Sequence, residues 1–161
     1  MKILIISDSH GNLKNLEHAI GFARAVRLAA IIHCGDWDTP QAVEVVKRSG
    51  LVVYGVLGNA DIDPLVTSNL EGTNIHFDKD FLEFETGKRK IGVCHFPGKL
   101  EDATNSGKYD VLFHGHTHRK KDEVYGKIRV VNPGALSKTD SPSFAVYDTD
   151  KNSVEFITIA I

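Results

Sequence analysis

The run Ile3-Leu4-Ile5-Ile6 is apolar on both faces of an extended chain, and it stops at the polar triplet Asp8-Ser9-His10. A strand with no polar face must be covered on both sides, which is the situation of a parallel sheet inside an α/β fold. Lys2 to Ser7 therefore reads as a fully buried strand, and the pattern recurs. Ala29 to His33 and Leu51 to Val56 read as two more strands. Between them, Asn12 is placed to cap a helix carrying Leu13, Leu16, Ile20, Ala23 and Val26 at helical spacing. Thr39-Pro40 opens a second helix, with Pro at its first position and Ala42, Val43 and Val46 inward. Strand, helix, strand, helix, strand implies parallel pairing through right-handed crossovers.

After Asp61 the text changes. Phe81 to Glu85 alternates apolar and polar residues, and Gly87-Lys88 turns the chain into Lys90 to His95, a hairpin. Leu100 to Ser106 reads as a short helix and Asp110 to Phe113 as a buried strand. Val124 to Val131 folds back at Tyr125-Gly126-Lys127, and Phe144 to Asp148 pairs with Val154 to Ile159. Early crossovers and late hairpins, with no repeat or linker, predict one α/β domain over residues 1–161 with mixed sheets.

Polar islands stand at the ends of these strands: Asp8-Ser9-His10, Gly35-Asp36, Gly58-Asn59, His95 and Gly115-His116-Thr117-His118. Side chains at the carboxyl ends of parallel strands meet in one crevice. Glycine next to the donors permits close backbone approach. Asp, Asn and His without thiolate suit divalent ions such as Mn, Fe, Zn or Ni, with Mg possible. Seven candidate donors, Asp8, His10, Asp36, Asn59, His95, His116 and His118, exceed what one four-coordinate zinc uses. One shared carboxylate would let them hold two ions, the usual apparatus for in-line displacement at phosphorus.

Bulk properties fit one ordinary soluble domain with a full core. The 161 residues are 42% hydrophobic with net charge -2, so no basic excess advertises nucleic acid. No apolar stretch reaches membrane-spanning length and no secretory leader is legible, so a cytoplasmic protein is expected. Cys34 and Cys94 end apolar segments and read as reduced, buried and structural.

Asp-x-His, Gly-Asp, Gly-Asn-x-Asp, a lone His and Gly-His-Thr-His, in that order, resemble the calcineurin-like metallophosphoesterases. The short chain and Asn132-Pro133-Gly134 are similar to the small phosphodiesterase branch of bacteria and archaea. The resemblance runs from Ile3 to about Gly134. It implies an αββα sandwich, two packed mixed β-sheets flanked by helices. It implies that Asp8, His10, Asp36 and His118 hold one metal, and that Asp36, Asn59, His95 and His116 hold a second. Asp36 would bridge the ions, a hydroxide between them would attack phosphorus, and Asp61 would orient a neighbouring donor. The implied activity is a two-metal phosphodiesterase acting on a small phosphodiester or nucleotide-like substrate, as a monomer or small homo-oligomer. A phosphomonoesterase or nucleotide phosphohydrolase of the same fold is the alternative within enzymes. A non-catalytic module resembling the retromer subunit is the alternative outside them, although every expected ligand position is filled.

Two departures from the family pattern bear on function. Many relatives carry a His after the Asn, where it assists the leaving group; this chain has Ala60. Relatives carry His-Gly at the fourth island; here His95-Phe96-Pro97 predicts a stiffer loop that narrows the mouth. Other residues have structural readings. His33 reads as a core residue, His18 as solvated, His76 as part of an irregular polar stretch and His114 as strand-end packing. Trp37 either lines the mouth or covers the sheet edge. Asn132 either approaches substrate or only forms a turn. Lys88-Arg89-Lys90 reads as a solvated hairpin turn, and Arg119-Lys120-Lys121, which directly follows the His island, either attracts phosphate or is solvated surface, the second being the simpler reading.

Overall fold

The computed structural model describes residues 1–72 and 74–160. Its strands and helices run in the order β1 (Lys2–Ile6), α1 (Leu13–Ala25), β2 (Ala30–His33), α2 (Pro40–Lys47), β3 (Val52–Val56), α3 (Pro64–Leu70), β4 (Ile75–Asp78), β5 (Phe81–Thr86), β6 (Arg89–Cys94), α4 (Leu100–Asn105), β7 (Val111–Phe113), β8 (Lys120–Tyr125), β9 (Ile128–Pro133), β10 (Ser143–Asp148) and β11 (Ser153–Thr158). A 3-10 turn over Pro97–Lys99 precedes α4.

The strands form two mixed sheets. One has the order β11-β10-β1-β2-β3-β4 and the other β5-β6-β7-β9-β8. In the first, β1 to β4 are mutually parallel and β10 joins β1 antiparallel. In the second, β6, β7 and β9 are parallel, with β5 and β8 as antiparallel edges.

Strand alternation explains the apolar run at the N-terminus. Ile3 and Ile5 point between the sheets, among Ile32, Val93, Phe113 and Tyr147. Leu4 and Ile6 point the other way, onto Leu16 and Ile20 of α1 and Val43 and Val46 of α2. On the outer face of the second sheet, Leu100 and Ala103 of α4 cover Cys94, Leu112 and Val130. Helix layer, sheet, sheet, helix layer is the expected αββα sandwich.

The helix caps are those expected. Asn12 Oδ1 accepts from Asn15 N at 3.1 Å, and Thr39 Oγ1 accepts from Ala42 N at 3.3 Å ahead of Pro40. Two elements carry no prediction from the sequence, α3 and β4. Asp63 caps α3 by accepting from Leu65 N at 2.9 Å, and only Val66 and Leu70 are buried in it. His76 is not in an irregular stretch; it lies exposed in β4, paired with Tyr54 of β3.

Trp37 follows neither of its expected readings. It is fully buried in the layer between the first sheet and its helices. Its Nε1 donates to Val56 O at 3.0 Å, and its ring stacks on His33 at 3.6 Å. The side chain thus ties the loop after β2 to the end of β3. Trp37→Ala is expected to lower the unfolding free energy by about 3–5 kcal/mol. Urea titration followed by far-UV circular dichroism measures this; a loss below about 1 kcal/mol would contradict the packing.

Candidate metal centre

The donors follow strand ends in both sheets. Asp8 and His10 come after β1, Asp36 after β2 and Asn59 after β3. His95 comes directly after β6, and His116 and His118 come after β7. The shortness of these loops forces unusual backbone. Asp8, His10, Asp36, His116 and His118 have φ of 51°, 44°, 59°, 68° and 57°. Left-handed φ is disfavoured for residues with a Cβ and persists where surrounding contacts impose it, most often at functional sites.

Those contacts are visible. Asp8 N donates to Gly35 O at 3.0 Å and His10 N to Asp36 O at 3.0 Å, which laces the first two loops together. His116 N donates to the Asp8 carboxylate at 3.2 and 3.3 Å, joining the two sheets. Two glycines make the approach possible. A Cβ on Gly58 would lie 2.1 Å from Asp36 Oδ1, and one on Gly115 would lie 2.0 Å from Ser7 Oγ.

One group of donors is compact. Ligand atoms of Asp8, His10, Asp36 and His118 all lie within 4.8 Å of one another. His118 Nε2 is 3.2 Å from Asp8 Oδ1, and His10 Nε2 is 3.4 Å from both Asp36 Oδ2 and His118 Nε2. The remaining donors meet beside it. Asn59 Oδ1 is 3.1 Å from His95 Nε2 and 3.0 Å from His116 Nδ1. Asp36 Oδ1 is 3.5 Å from His95 Nε2. The two oxygens of Asp36 therefore face the two groups.

The chemistry of the set fits a divalent cation. Asp8 is fully buried and Asp36 is 2% exposed, with no ammonium or guanidinium paired to either among the described residues. Burial pushes the Asp8 carboxyl above its ordinary range, and Asp36 nearby adds to that. Burial likewise pulls the His10 imidazole below its ordinary value. A cation offsets both costs. Backbone carbonyls also orient the imidazoles: His95 Nδ1 lies 2.8 Å from Cys34 O, and His118 Nδ1 lies 3.3 Å from Lys138 O. Donation from Nδ1 leaves Nε2 of each ring as a lone pair facing the carboxylates, the usual arrangement around a bound metal.

Asp61 acts through backbone. Its Oδ2 accepts from Asp36 N at 3.0 Å and Gly58 N at 2.7 Å, and its Oδ1 accepts from Asp38 N at 2.7 Å. Burial raises its pKa, while these three N–H groups pull it back. Asp61→Asn would set an amide N–H against a backbone N–H. It is expected to cost about 1–3 kcal/mol of stability and to weaken metal binding about 10–100-fold. Urea unfolding and calorimetric titration with Mn²⁺ read the two effects.

His33 and Ser9 were not among the expected site residues, yet they tie its loops together. Gly35 N donates to His33 Nδ1 at 3.2 Å, so the ring proton sits on Nε2, 3.1 Å from Ser9 Oγ. Ser9 Oγ donates onward to Asp36 O at 3.3 Å. The core reading of His33 holds, since it is fully buried. Burial holds its imidazole well below the ordinary 6.5. Its neutral form thus contributes stability that is complete above the unfolded pKa of about 6.5 and is lost as pH falls below it, by up to about 1.4 kcal/mol per pH unit. The unfolding free energy of wild type should therefore fall more steeply between pH 7 and pH 5 than that of His33→Asn. Parallel slopes would refute the linkage.

Other residues have structural places. Asn132 is fully buried. It donates to Gly115 O at 2.9 Å and Thr117 Oγ1 at 3.0 Å and accepts from Gly134 N at 2.9 Å, so it clamps the His116 loop rather than reaching substrate. His114 is buried beside it, in the packing role expected. Both cysteines are free and buried, and burial lifts the Cys94 thiol to about 12. Phe96 is 36% exposed, its ring 4.9 Å from that of His95 and 4.8 Å from that of His116. Sequence reasoning also passed over Asp38, whose Oδ2 is 3.6 Å from His10 Nδ1, and Lys138.

Two mixed sheets between helices, with an Asp/His cluster at their shared strand ends, define a class of metal-dependent phosphoesterase. Residues 1–152 match the calcineurin-like phosphoesterase superfamily domain, and the chain belongs to that family. It is 30% identical to a phosphodiesterase of Methanocaldococcus jannaschii, over 99% of each chain. Among solved structures, an archaeal phosphodiesterase superposes with a TM-score of 0.87 at 28% identity, covering 99% of this chain and 100% of that one. Vacuolar Protein Sorting 29 of Cryptosporidium parvum shares the fold, with a TM-score of 0.68 at 21% identity over 98% of this chain and 96% of its own. Fold and ligand cluster together support a metal-dependent phosphoesterase activity. No helix among the described residues is long and apolar enough to cross a membrane.

Proposed function

We propose that the chain is a single-domain, two-metal phosphodiesterase acting on small phosphodiesters. The observation that carries this reading is Asp36, whose Oδ2 faces His10 at 3.4 Å while its Oδ1 faces His95 at 3.5 Å. One carboxylate between two donor groups is what a bridging ligand requires. Asp8, His10 and His118 would complete one site with it, and Asn59, His95 and His116 the other. When bound, two divalent ions supply a hydroxide at neutral pH and neutralise charge on the phosphoryl oxygens. Mn, Ni, Fe and Zn suit the donors, with Mg possible.

The residues contribute placement. Ala60 N donates to Asp36 Oδ1 at 2.8 Å and Asp61 fixes the Asp36 backbone, so the shared carboxylate is held before substrate arrives. Asn59 offers a neutral oxygen, which leaves net positive charge for an anionic substrate. Ala60 itself brings no proton donor to a leaving group, which favours diesters with good leaving groups over monoesters. The 30% identical archaeal relative named a phosphodiesterase supports the same choice.

Metal analysis should find two equivalents bound, and a chromogenic diester should turn over faster than the monoester with Mn²⁺ or Ni²⁺. Asp36→Ala should lose both equivalents, and His116→Ala one. Each is expected to cut turnover on the order of a thousandfold or more. A correctly folded His116→Ala protein with wild-type activity would sink the assignment. Absence of turnover with every metal would favour a binding module like the protein-sorting relative.

A further inference from the structure

We propose that Lys138, whose ammonium lies against the outer nitrogen of His10, is the substrate-phosphate contact of this site; this rests on the phosphodiesterase reading above. Among the described residues, Lys138 is the one cationic side chain within hydrogen-bonding distance of the donor set, with Nζ 2.9 Å from His10 Nδ1. Its backbone serves the same site, because its carbonyl accepts from His118 Nδ1 at 3.3 Å.

The loop that carries it is held firmly. Leu136 N donates to Ser7 O at 3.1 Å and Ser137 N to Asp8 O at 3.2 Å. Asn15 Nδ2 donates to Leu136 O at 2.7 Å. Lys138 itself has φ 52°, a conformation that glycine or asparagine adopts at less cost. A lysine kept in a strained conformation at the rim of a metal centre is an outlier that asks for a function.

Chemistry says what that function is. A His10 that gives Nε2 to a cation carries its proton on Nδ1, and an Nδ1–H cannot accept a hydrogen bond from an ammonium. Asp38 Oδ2, 3.6 Å away, is then the acceptor within reach of that proton. Lys138 is left as an exposed cation at the edge of the site. An anionic phosphoryl oxygen is the partner that matches it, and the bond is charge-assisted. No proton moves in this role; the side chain acts by its fixed charge, which favours a phosphoryl group gaining charge in the transition state.

The test uses the full-length, metal-loaded protein and two probes, inorganic phosphate by calorimetry and a chromogenic diester by kinetics. Lys138→Met is expected to weaken phosphate binding about 10–100-fold and to raise KM for the diester, with metal stoichiometry and affinity unchanged. Lys138→Arg should recover most of the loss. Unchanged phosphate affinity in Lys138→Met would overturn the proposal. So would a loss matched by an equal loss of metal affinity, which would mean that Lys138 only positions His10. These outcomes are distinct from failure of the phosphodiesterase reading, which would appear as wild-type protein without bound metal or turnover.

Discussion

Two carboxylates, Asp8 and Asp36, are held almost out of water at the ends of adjacent parallel strands. Burying one ionised carboxylate is costly, and burying two side by side is more so. The surrounding architecture answers that cost. Backbone N–H groups of His116 and Ala60 donate to them, the imidazoles of His10, His95 and His118 face them, and the whole set suits a cation. The loops accept left-handed φ at five of the donors to bring this about. Strain and burial thus have one cause: polar atoms must face inward at the point where two sheets meet.

The sheets supply rigidity for this arrangement. β1 lies inside its sheet, with both faces packed, so Asp8 leaves a strand that has little freedom to shift. The loops are then sewn to one another rather than to solvent. Asp61 gathers three N–H groups from the Asp36 and Asn59 loops, and Trp37 pins the first of these to the end of β3. His33 and Ser9 close the same circuit from below. Removing any one of these leaves polar groups buried without partners, which is why they are expected to act on stability and metal affinity together.

Much of this was legible in the text. Continuous apolar runs gave the parallel strands, Asn12 and Thr39 gave helix starts, and the ordered polar islands gave seven candidate donors whose side chains the fold brings near one another. What was not legible has physical reasons. The helix α3 spans seven residues and buries only two side chains, too few to register as a period, and β4 is a four-residue edge strand with charged and polar positions. Trp37 departs from both expected readings because the residues on either side of it, Asp36 and Asp38, have φ of 59° and 71°, a backbone path that no local pattern in the sequence announces, and its ring lies in the core. Lys138 follows β9 by five residues and reaches His10 only through the return of a loop, a contact no local pattern announces.

The rim of the site has two chemically different sides. Lys138 stands beside the His10 and His118 group, and the half-open ring of Phe96 packs against His95 and His116. Ala60, in between by sequence role, gives its N–H to Asp36 and leaves its methyl with no chemistry to offer. On the phosphodiesterase reading, a phosphate seated over the donors would have a cation toward one edge and an apolar aromatic face toward the other. An aromatic or otherwise apolar leaving group on the Phe96 side would be accommodated by stacking and would depart without a protein-supplied proton. An ester with a poor leaving group would gain less, since its leaving oxygen meets no acid from Ala60. Selectivity in this site would thus arise from its edges, while the buried carboxylates and imidazoles set only the place where reaction occurs.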